Sequence, residues 1–316
     1  MFDKLTLNYE WDGEEDSPPS LDNLQVALES KERATGEKRI EGYLNGMRVR
    51  VWPERKRMRI EGSLAKFLFH ENITMLTRET TQEALENLGE ALEIDIGKAR
   101  VSSLEFGCNI VTRQEPWVYM KRLGDMPRRE RIEFSRNSLY FKRKGREQPD
   151  EVKIYDKGRE AKQKRNKGMQ IPKEMRGKNI LRIELSLNSR LRQQLGVHEV
   201  TASSLYSCEV WQKLSELLLK KYESITKIRK KGMDTQKIRT PKDAKDGFLS
   251  FLGLDGDLKG RIDEYIGLLN ANNTFSDRKY YTRTRCALKR DVSKLRFLSS
   301  DGLIEELDAA MRISLV

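Results

Sequence analysis

Glu151-Val-Lys-Ile-Tyr-Asp-Lys-Gly-Arg-Glu160 alternates apolar and polar residues and then breaks at Gly158. Successive side chains of a β-strand point to opposite faces. Val152 and Ile154 therefore fall on one side, and Lys153, Tyr155 and Lys157 on the other. Gly158 permits a turn, and a charged run follows. A phenol and an ammonium two residues apart on one strand share a face. The ammonium can lower the phenol pKa or neutralise a phosphate beside it. That pairing is what a tyrosine nucleophile working on a phosphodiester requires. A surface tyrosine among solvated charges is the competing reading of the same stretch, so the rest of the chain has to decide.

The two-faced pattern recurs on both sides of this stretch. Met1 to Tyr9 alternates as a strand, and Glu10 to Asn23 reads as an acidic loop. Between Arg39 and Glu61, Met47, Val49 and Val51 oppose Arg48, Arg50 and Trp52. After a turn at Pro53 to Lys56, Met58 and Ile60 oppose Arg57 and Arg59. This is a hairpin with one apolar and one basic face. In Arg100 to Val111, Leu104, Phe106, Cys108 and Ile110 oppose Ser103, Glu105, Gly107 and Asn109. Ile132 to Lys144 reads as a strand paired with Glu151 to Lys157. In Ile180 to Asn188, Leu181, Ile183, Leu185 and Leu187 point inward, opposite Arg182, Glu184 and Ser186.

Helical spacing predicts a short helix at Leu21 to Leu28, another at Trp117 to Leu123, and one over about 81–94 opened by Thr80-Thr-Gln-Glu83 as a capping box. Arg159 to Arg176 reads as a basic loop or frayed helix. From Thr201 the pattern turns helical: Leu205 to Leu218, Asp246 to Leu252, Leu258 to Leu269, Thr282 to Leu298 and Leu303 to Met311, with Lys227 to Lys242 as a basic linker. Strands followed by helices predict an α+β domain over residues 1–200 and a smaller helical domain over 201–316.

The chain has 316 residues and a net charge of +12. Lys121 to Arg176 alone holds 19 Lys+Arg against 9 Asp+Glu. So concentrated a basic segment points to phosphates as partners, nucleic acid foremost. No apolar run reaches membrane-spanning length and no signal peptide is read. Cys108, Cys208 and Cys286 are far apart and odd in number, which predicts reduced thiols in a cytoplasm and excludes a disulfide framework. His70 and His198 are the only histidines, so a multi-histidine metal site is excluded. A metal here would sit on carboxylates, which favour magnesium or manganese. No Gly-rich phosphate loop with its Lys is present, so no nucleotide cofactor is expected.

Glu105, Tyr155 with Lys157, and Glu184 all occupy polar faces of strands whose other face is apolar. If those strands share a sheet, two carboxylates, a phenol and an ammonium share one surface. That set suits phosphoryl transfer.

At these residues the chain resembles replication initiators of rolling-circle elements. It is similar to the filamentous-phage initiator and, more distantly, to the initiators of small Gram-positive plasmids, over roughly residues 40–200. Lys153-Ile-Tyr-Asp-Lys-Gly-Arg-Glu160 matches the plasmid family's basic-hydrophobic-Tyr-x-Lys-x-x-Glu motif, which carries the nicking tyrosine. Ser103-Leu-Glu-Phe106 stands where that family has Arg-hydrophobic-Asp, with Ser103 replacing the Arg and Glu105 the Asp. Leu181-Arg-Ile-Glu184 matches a later Arg-hydrophobic-Glu strand, and Ser63-Leu-Ala-Lys66 with Asn72 resembles a Ser-x-x-Lys…Asn segment of the phage proteins. The His-hydrophobic-His pair of the wider HUH endonuclease superfamily is missing.

The resemblance implies an antiparallel-sheet, HUH-like initiator nuclease that makes a single-strand nick and a 5′-phosphotyrosyl intermediate. Tyr155 would be the nucleophile. Lys157 would stabilise phosphate charge, and Glu160 would orient Lys157 or a water. Glu105 and Glu184, with His70 as a further ligand, would hold Mg²⁺ or Mn²⁺. Apart from the resemblance, the charge pattern itself offers DNA contacts at Lys66, at the hairpin arginines Arg48, Arg50, Arg57 and Arg59, and at the helical residues Arg283, Arg285, Lys289 and Arg290, with solvated basic faces as the competing reading. Implied partners are supercoiled or single-stranded origin DNA, a host helicase and polymerase, and a second copy in a homodimer, all in the cytoplasm of a bacterial host. A non-catalytic DNA-binding replication or regulatory protein is the alternative from another class.

Overall fold

The computed structural model describes the chain except residues 12–17, 32–34, 136, 144, 146–148, 166–170, 229–230, 234–257, 294–297, 301 and 316. The alternating segments assemble into one ten-stranded sheet in the order β2-β3-β4-β5-β1-β6-β10-β9-β8-β7. The strands are β1 (Phe2–Glu10), β2 (Gln25–Lys31), β3 (Lys38–Leu44), β4 (Met47–Trp52), β5 (Arg57–Ser63), β6 (Arg100–Thr112), β7 (Glu130–Phe134), β8 (Ser138–Lys142), β9 (Asp150–Asp156) and β10 (Asn179–Leu187). Each neighbouring pair runs antiparallel. The apolar faces read from the sequence coincide: Leu7, Val49, Ile60, Phe106, Val152, Ile154, Ile183 and Leu185 are all fully buried. Each such side chain contributes about 1.5–3 kcal/mol of transfer free energy, and slipping one strand by a residue would forfeit that whole set.

Among the described residues the helices are α1 (Leu64–Phe69), α2 (Arg78–Leu92), α3 (Pro116–Met120), α4 (Lys157–Arg165), α5 (Leu191–Leu195) and α6 (Cys208–Glu223), then α7 (Leu258–Ala271), α8 (Arg278–Ser293) and α9 (Leu303–Leu315). α6 and α9 pack on the apolar face. Trp211 of α6 meets Phe2 and Phe106 edge-on at 5.5 and 5.6 Å. Met311 Sδ of α9 lies 3.5 Å from Cys108 Sγ, and the Tyr222 hydroxyl donates to Asp308 Oδ1 at 2.6 Å. These contacts explain why the first compact unit is Met1–Thr226 with Leu307–Val316, and the second Lys227–Glu306. A break at residue 200, expected from the change of period, falls inside the first unit. α6 completes the core of the sheet that precedes it. In the second unit α7 and α8 pack through Ile262, Ile266 and Tyr281, flanked by Leu269, Phe275 and Leu288. β11 (Lys231–Met233) pairs with β12 (Leu298–Ser300) there.

Some local expectations are revised. Leu21 to Leu28 is no helix: a turn leads into β2, whose backbone pairs with the edge of β3. Pairing along an open sheet edge outweighs a weak helical preference. Ile132 to Lys144 is a hairpin of two strands, reversed at Ser135, which sits at φ 44°. The capping box of α2 is Thr77 with Thr80, one turn earlier than the box read from Thr80 and Glu83. Lys157 opens α4, so it does not continue the strand. The expected helix at Asp246 to Leu252 lies outside the described residues, as does most of the Lys227 to Lys242 linker.

Candidate active site

The buried pair Val152 and Ile154 turns Lys153 and Tyr155 to the opposite face of β9. Pairing with β10 sets Tyr155 across from Arg182 and Lys153 across from Glu184. On the other side of β10, Glu105 lies across from Ser186, and Gly107 across from Glu184. A Cβ on Gly107 would collide with Ile183 O and stand 2.9 Å from the Glu184 Cα. Only glycine allows β6 to approach β10 this closely, and it leaves the space over Glu184 clear.

A third carboxylate joins from β1. A register shift between Phe2 and Leu5 breaks the alternation, and Asp3 is buried at 6% exposure. The Ser63 hydroxyl donates to Asp3 Oδ1 while accepting from Lys66 N at 3.3 Å, so one side chain caps α1 and anchors the carboxylate. Asn72 Nδ2 donates to Asp3 Oδ2 at 3.0 Å. The turn carrying Asn72 is held by Glu71, whose carboxylate accepts from the backbone N–H of Ile73 and Thr74. One oxygen each from Asp3, Glu105 and Glu184 lies within 4.8 Å of the others.

Two cations are threaded between these carboxylates. Lys153 Nζ donates to Glu105 Oε1 at 2.6 Å and lies 3.5 Å from Glu184 Oε1. Arg182 Nε donates to Glu184 Oε2 at 2.9 Å, and its Nη1 to Asn109 Oδ1 at 3.1 Å. The Tyr155 hydroxyl donates to the same Glu184 Oε2 at 3.4 Å. Lys157 is wholly buried, 5.7 Å from the centre of the Tyr155 ring, and donates to Glu160 Oε2 at 2.7 Å.

Burial and charge set the protonation states. Burial, then the Glu184 charge, pushes the Tyr155 phenol well above its ordinary value. Burial, then Glu184, raises Glu105 against the opposing pull of Lys153. Burial would raise Asp3 too, but Arg182, Lys157 and its two hydrogen bonds outweigh it and hold the carboxyl low. Burial and Arg182 lower the Lys157 ammonium, against Glu160.

The expected site residues separate into groups. Tyr155, Glu105, Glu184, Glu160 and Lys66 line one cleft of about 370 Å³, together with Asp3, Asn72 and Lys153. Lys157 lies behind Tyr155, buried from solvent. His70, expected as a metal ligand, lies outside the carboxylate group: it is exposed and ends α1 at φ 60°, a left-handed C-cap. Arg48, Arg50 and Arg59 carry ion pairs with Glu41 and Glu61, and Arg57 lies 5.4 Å from the Trp52 ring centre. In the second unit Arg283, Arg285 and Arg290 are exposed, while Arg285 and Lys289 both bind Asp263. Sequence reading missed Asp3 and assigned no role to Lys153. The usable signal for Asp3 was a carboxylate where Phe2-Asp-Lys-Leu5 skips one beat of its alternation.

The oxygen set fits a hard divalent cation. Three carboxylates converge, and Asn72 Oδ1 is buried without a hydrogen-bond partner among the described residues. Such donors suit magnesium or manganese.

The family model for the N-terminal region of a phage replication-associated protein matches residues 14–206, more than half of the chain. The chain belongs to this family. It is a replication-associated protein of the phage rolling-circle-initiator type. A comparison with curated proteins gave no match. The family match contains Glu105, Tyr155, Lys157, Glu160 and Glu184, whereas Asp3 precedes it and the second unit follows it. Among the described residues no helix is long and apolar enough to cross a membrane.

Proposed function

We propose that the protein is a metal-dependent, site-specific single-strand DNA endonuclease and strand transferase that opens rolling-circle replication at a phage or plasmid origin. The observation that carries this reading is the Tyr155 hydroxyl, held 3.4 Å from Glu184 Oε2 in a cleft shared with Asp3 and Glu105. The phenol oxygen attacks the scissile phosphorus. The bond to the 3′ oxygen breaks, and the 5′ phosphate stays on Tyr155. The phenol is protonated in the free protein, and Glu184, which its hydroxyl faces, is the acceptor for that proton; the departing 3′ oxygen takes up a proton, so it leaves as a hydroxyl and the exchange is proton-neutral. Lys157, held by Glu160, offsets the charge that develops beside the ring. The exchange conserves the phosphodiester, so the same tyrosine can rejoin ends.

The cleft is lined by four cations, Lys4, Lys66, Lys153 and Arg159, against five carboxylates, Asp3, Glu105, Asp156, Glu160 and Glu184. A phosphate therefore needs a further positive charge at the site. Magnesium or manganese bound by Asp3, Glu105 and Glu184 would polarise the scissile phosphate and offset its charge. The freed 3′ hydroxyl would prime a host polymerase, with a host helicase opening the duplex. In the second unit α8 would grip the duplex origin through Arg283 and its neighbours.

The test is nicking of supercoiled origin DNA with Mn²⁺ by the full chain. Nicking and a covalent protein–DNA adduct are expected. Tyr155→Phe should lower both by several orders of magnitude, and excess EDTA should do the same. An adduct that persists in Tyr155→Phe would remove the nucleophile, and full nicking in EDTA would remove the metal.

A further inference from the structure

Beyond Tyr155 the same sheet face continues to the edge of the sheet. β8 and β9 set Ser138 across from Tyr155 and Tyr140 across from Lys153. β7 and β8 set Phe134 across from Ser138 and Ile132 across from Tyr140. Residues directly opposite in antiparallel strands share a face. Tyr155, Ser138 and Phe134 therefore form one row, and Lys153, Tyr140 and Ile132 the next. Phe134 lies two strand spacings from Tyr155, roughly 10 Å.

Phe134 contributes little to the core, since 49% of it is exposed. Its ring meets Tyr140 edge-on, with centroids 5.1 Å apart and planes at 88°, so the pair forms a right-angled corner open to solvent. Ser138 between Phe134 and Tyr155 is too small to fill the row. The corner is fixed relative to the nucleophile. Asn137 N donates to Phe134 O at 2.9 Å, and the N–H of Asp156, next to Tyr155, donates to Asn137 O at 3.0 Å. Arg159 is exposed beside it and donates to Asn137 Oδ1 at 2.6 Å. Tyr140, Asn137 and Arg159 line the Tyr155 cleft.

We propose that Phe134 and Tyr140 form a stacking subsite for an unstacked nucleobase of single-stranded DNA, next to the phosphate presented to Tyr155. The position of that phosphate rests on the nicking reading above. A planar base seats against one ring of the corner while the other ring buttresses its edge. Arg159 faces the linking phosphate. Stacking on aromatic rings tolerates every base, because each has a π-face. The subsite thus holds the strand open at the scissile position without selecting its sequence.

The test measures equilibrium binding of the full chain in EDTA, where the nicking reading allows no cleavage. The probes are a short oligothymidylate and a sugar-phosphate strand of the same length without bases. Phe134→Ala should weaken oligothymidylate binding about 5- to 150-fold and leave the base-free strand unchanged. Phe134→Trp should bind oligothymidylate at least as well as the parent, and Phe134→Leu should not restore it, because bulk without a π-face does not stack. Equal losses on both probes, no loss on either, or rescue by Leu would overturn the proposal. So would a wild-type dimer that Phe134→Ala dissociates, since a second copy would then cover the ring. The binding result is independent of the covalent-adduct assay. A failed adduct with the expected binding pattern sinks the nicking reading and leaves the subsite standing.

Discussion

Two regions of the polar sheet face carry alternating charge, and they differ in what surrounds it. Around Tyr155, Arg182 and Glu184 meet with only 3% of either side chain exposed, and Lys153 and Glu105 meet at 20% and 15%. On β4 and β5, Arg48 meets Glu41 at 42% and 17%, and Arg59 meets Glu61 at 36% and 26%. Both regions are runs of arginine, lysine and glutamate on strands. In the first, each charge depends on its partner, because water cannot replace it. In the second, water and salt compete with the pairs of Arg48 and Arg59, while Arg50 meets Glu61 at 19% and 26%. A buried network of this kind fixes geometry and shifts protonation, as chemistry needs. An exposed one keeps arginines free to trade a carboxylate for a phosphate.

The largest effect should come from the buried network. Arg182→Ala leaves Glu184 and Asp3 without their main counter-charge and should cost about 3–5 kcal/mol in urea unfolding. A cost under ~1 kcal/mol would erase the distinction between the regions. Asp150 extends the comparison to acid. Its side chain is fully buried and pairs with Lys221 at 2.6 Å and with Arg129. Burial would raise its carboxyl, but the Lys221 hydrogen bond and the Arg129 charge hold it below the ordinary carboxylate value. A carboxyl lowered on folding stabilises the fold above its unfolded value, and that stability is lost as pH falls through the folded one. The unfolding midpoint of the wild type should therefore drop below about pH 4, with a flatter fall in Asp150→Asn. An identical pH profile for the two proteins would mean that the pairing contributes nothing.

The exposed cations should act on binding more than on stability. Replacing Arg283, Arg285, Lys289 and Arg290 with Ala should weaken duplex-origin binding and flatten its salt dependence by about one unit of slope per lost phosphate contact. Arg285 and Lys289 share Asp263, so a loss nearer two units than four is expected. An unchanged slope would hand duplex recognition to the hairpin arginines. The smallest stability effect is expected for Arg48→Ala, within about 1 kcal/mol by urea unfolding. A larger cost would show that the hairpin face is as interdependent as the cleft.

Much of the sheet was legible because period-two patterning carries its own register. Once Val152, Ile154, Ile183, Leu185 and Phe106 are assigned to one face, Tyr155, Glu184 and Glu105 must share the other. The hairpin at Ser135 was not legible. Its turn residues are ordinary in type, and the reversal shows only in the fold, as a positive φ at Ser135 and the Asn137 N–H donating to Phe134 O. Nor was β2, whose strand exists because β3 offers an unpaired edge.

Sequence by itself determined the α+β class, the apolar faces, the Tyr155 motif and the polar company of Glu105 and Glu184, since these follow from local alternation and from residue type. Tertiary structure alone decided the third carboxylate, the cations and the aromatic corner. Asp3 reaches the cleft through a register shift between β1 and β6, a property of two strands nearly a hundred residues apart. Lys153 and Arg182 become structural cations only because their neighbours exclude water. Phe134 comes into line with Tyr155 because two hairpins place β7 two strands from β9. Alternation is written residue by residue, whereas adjacency between strands and the loss of solvent exist only once the sheet has closed.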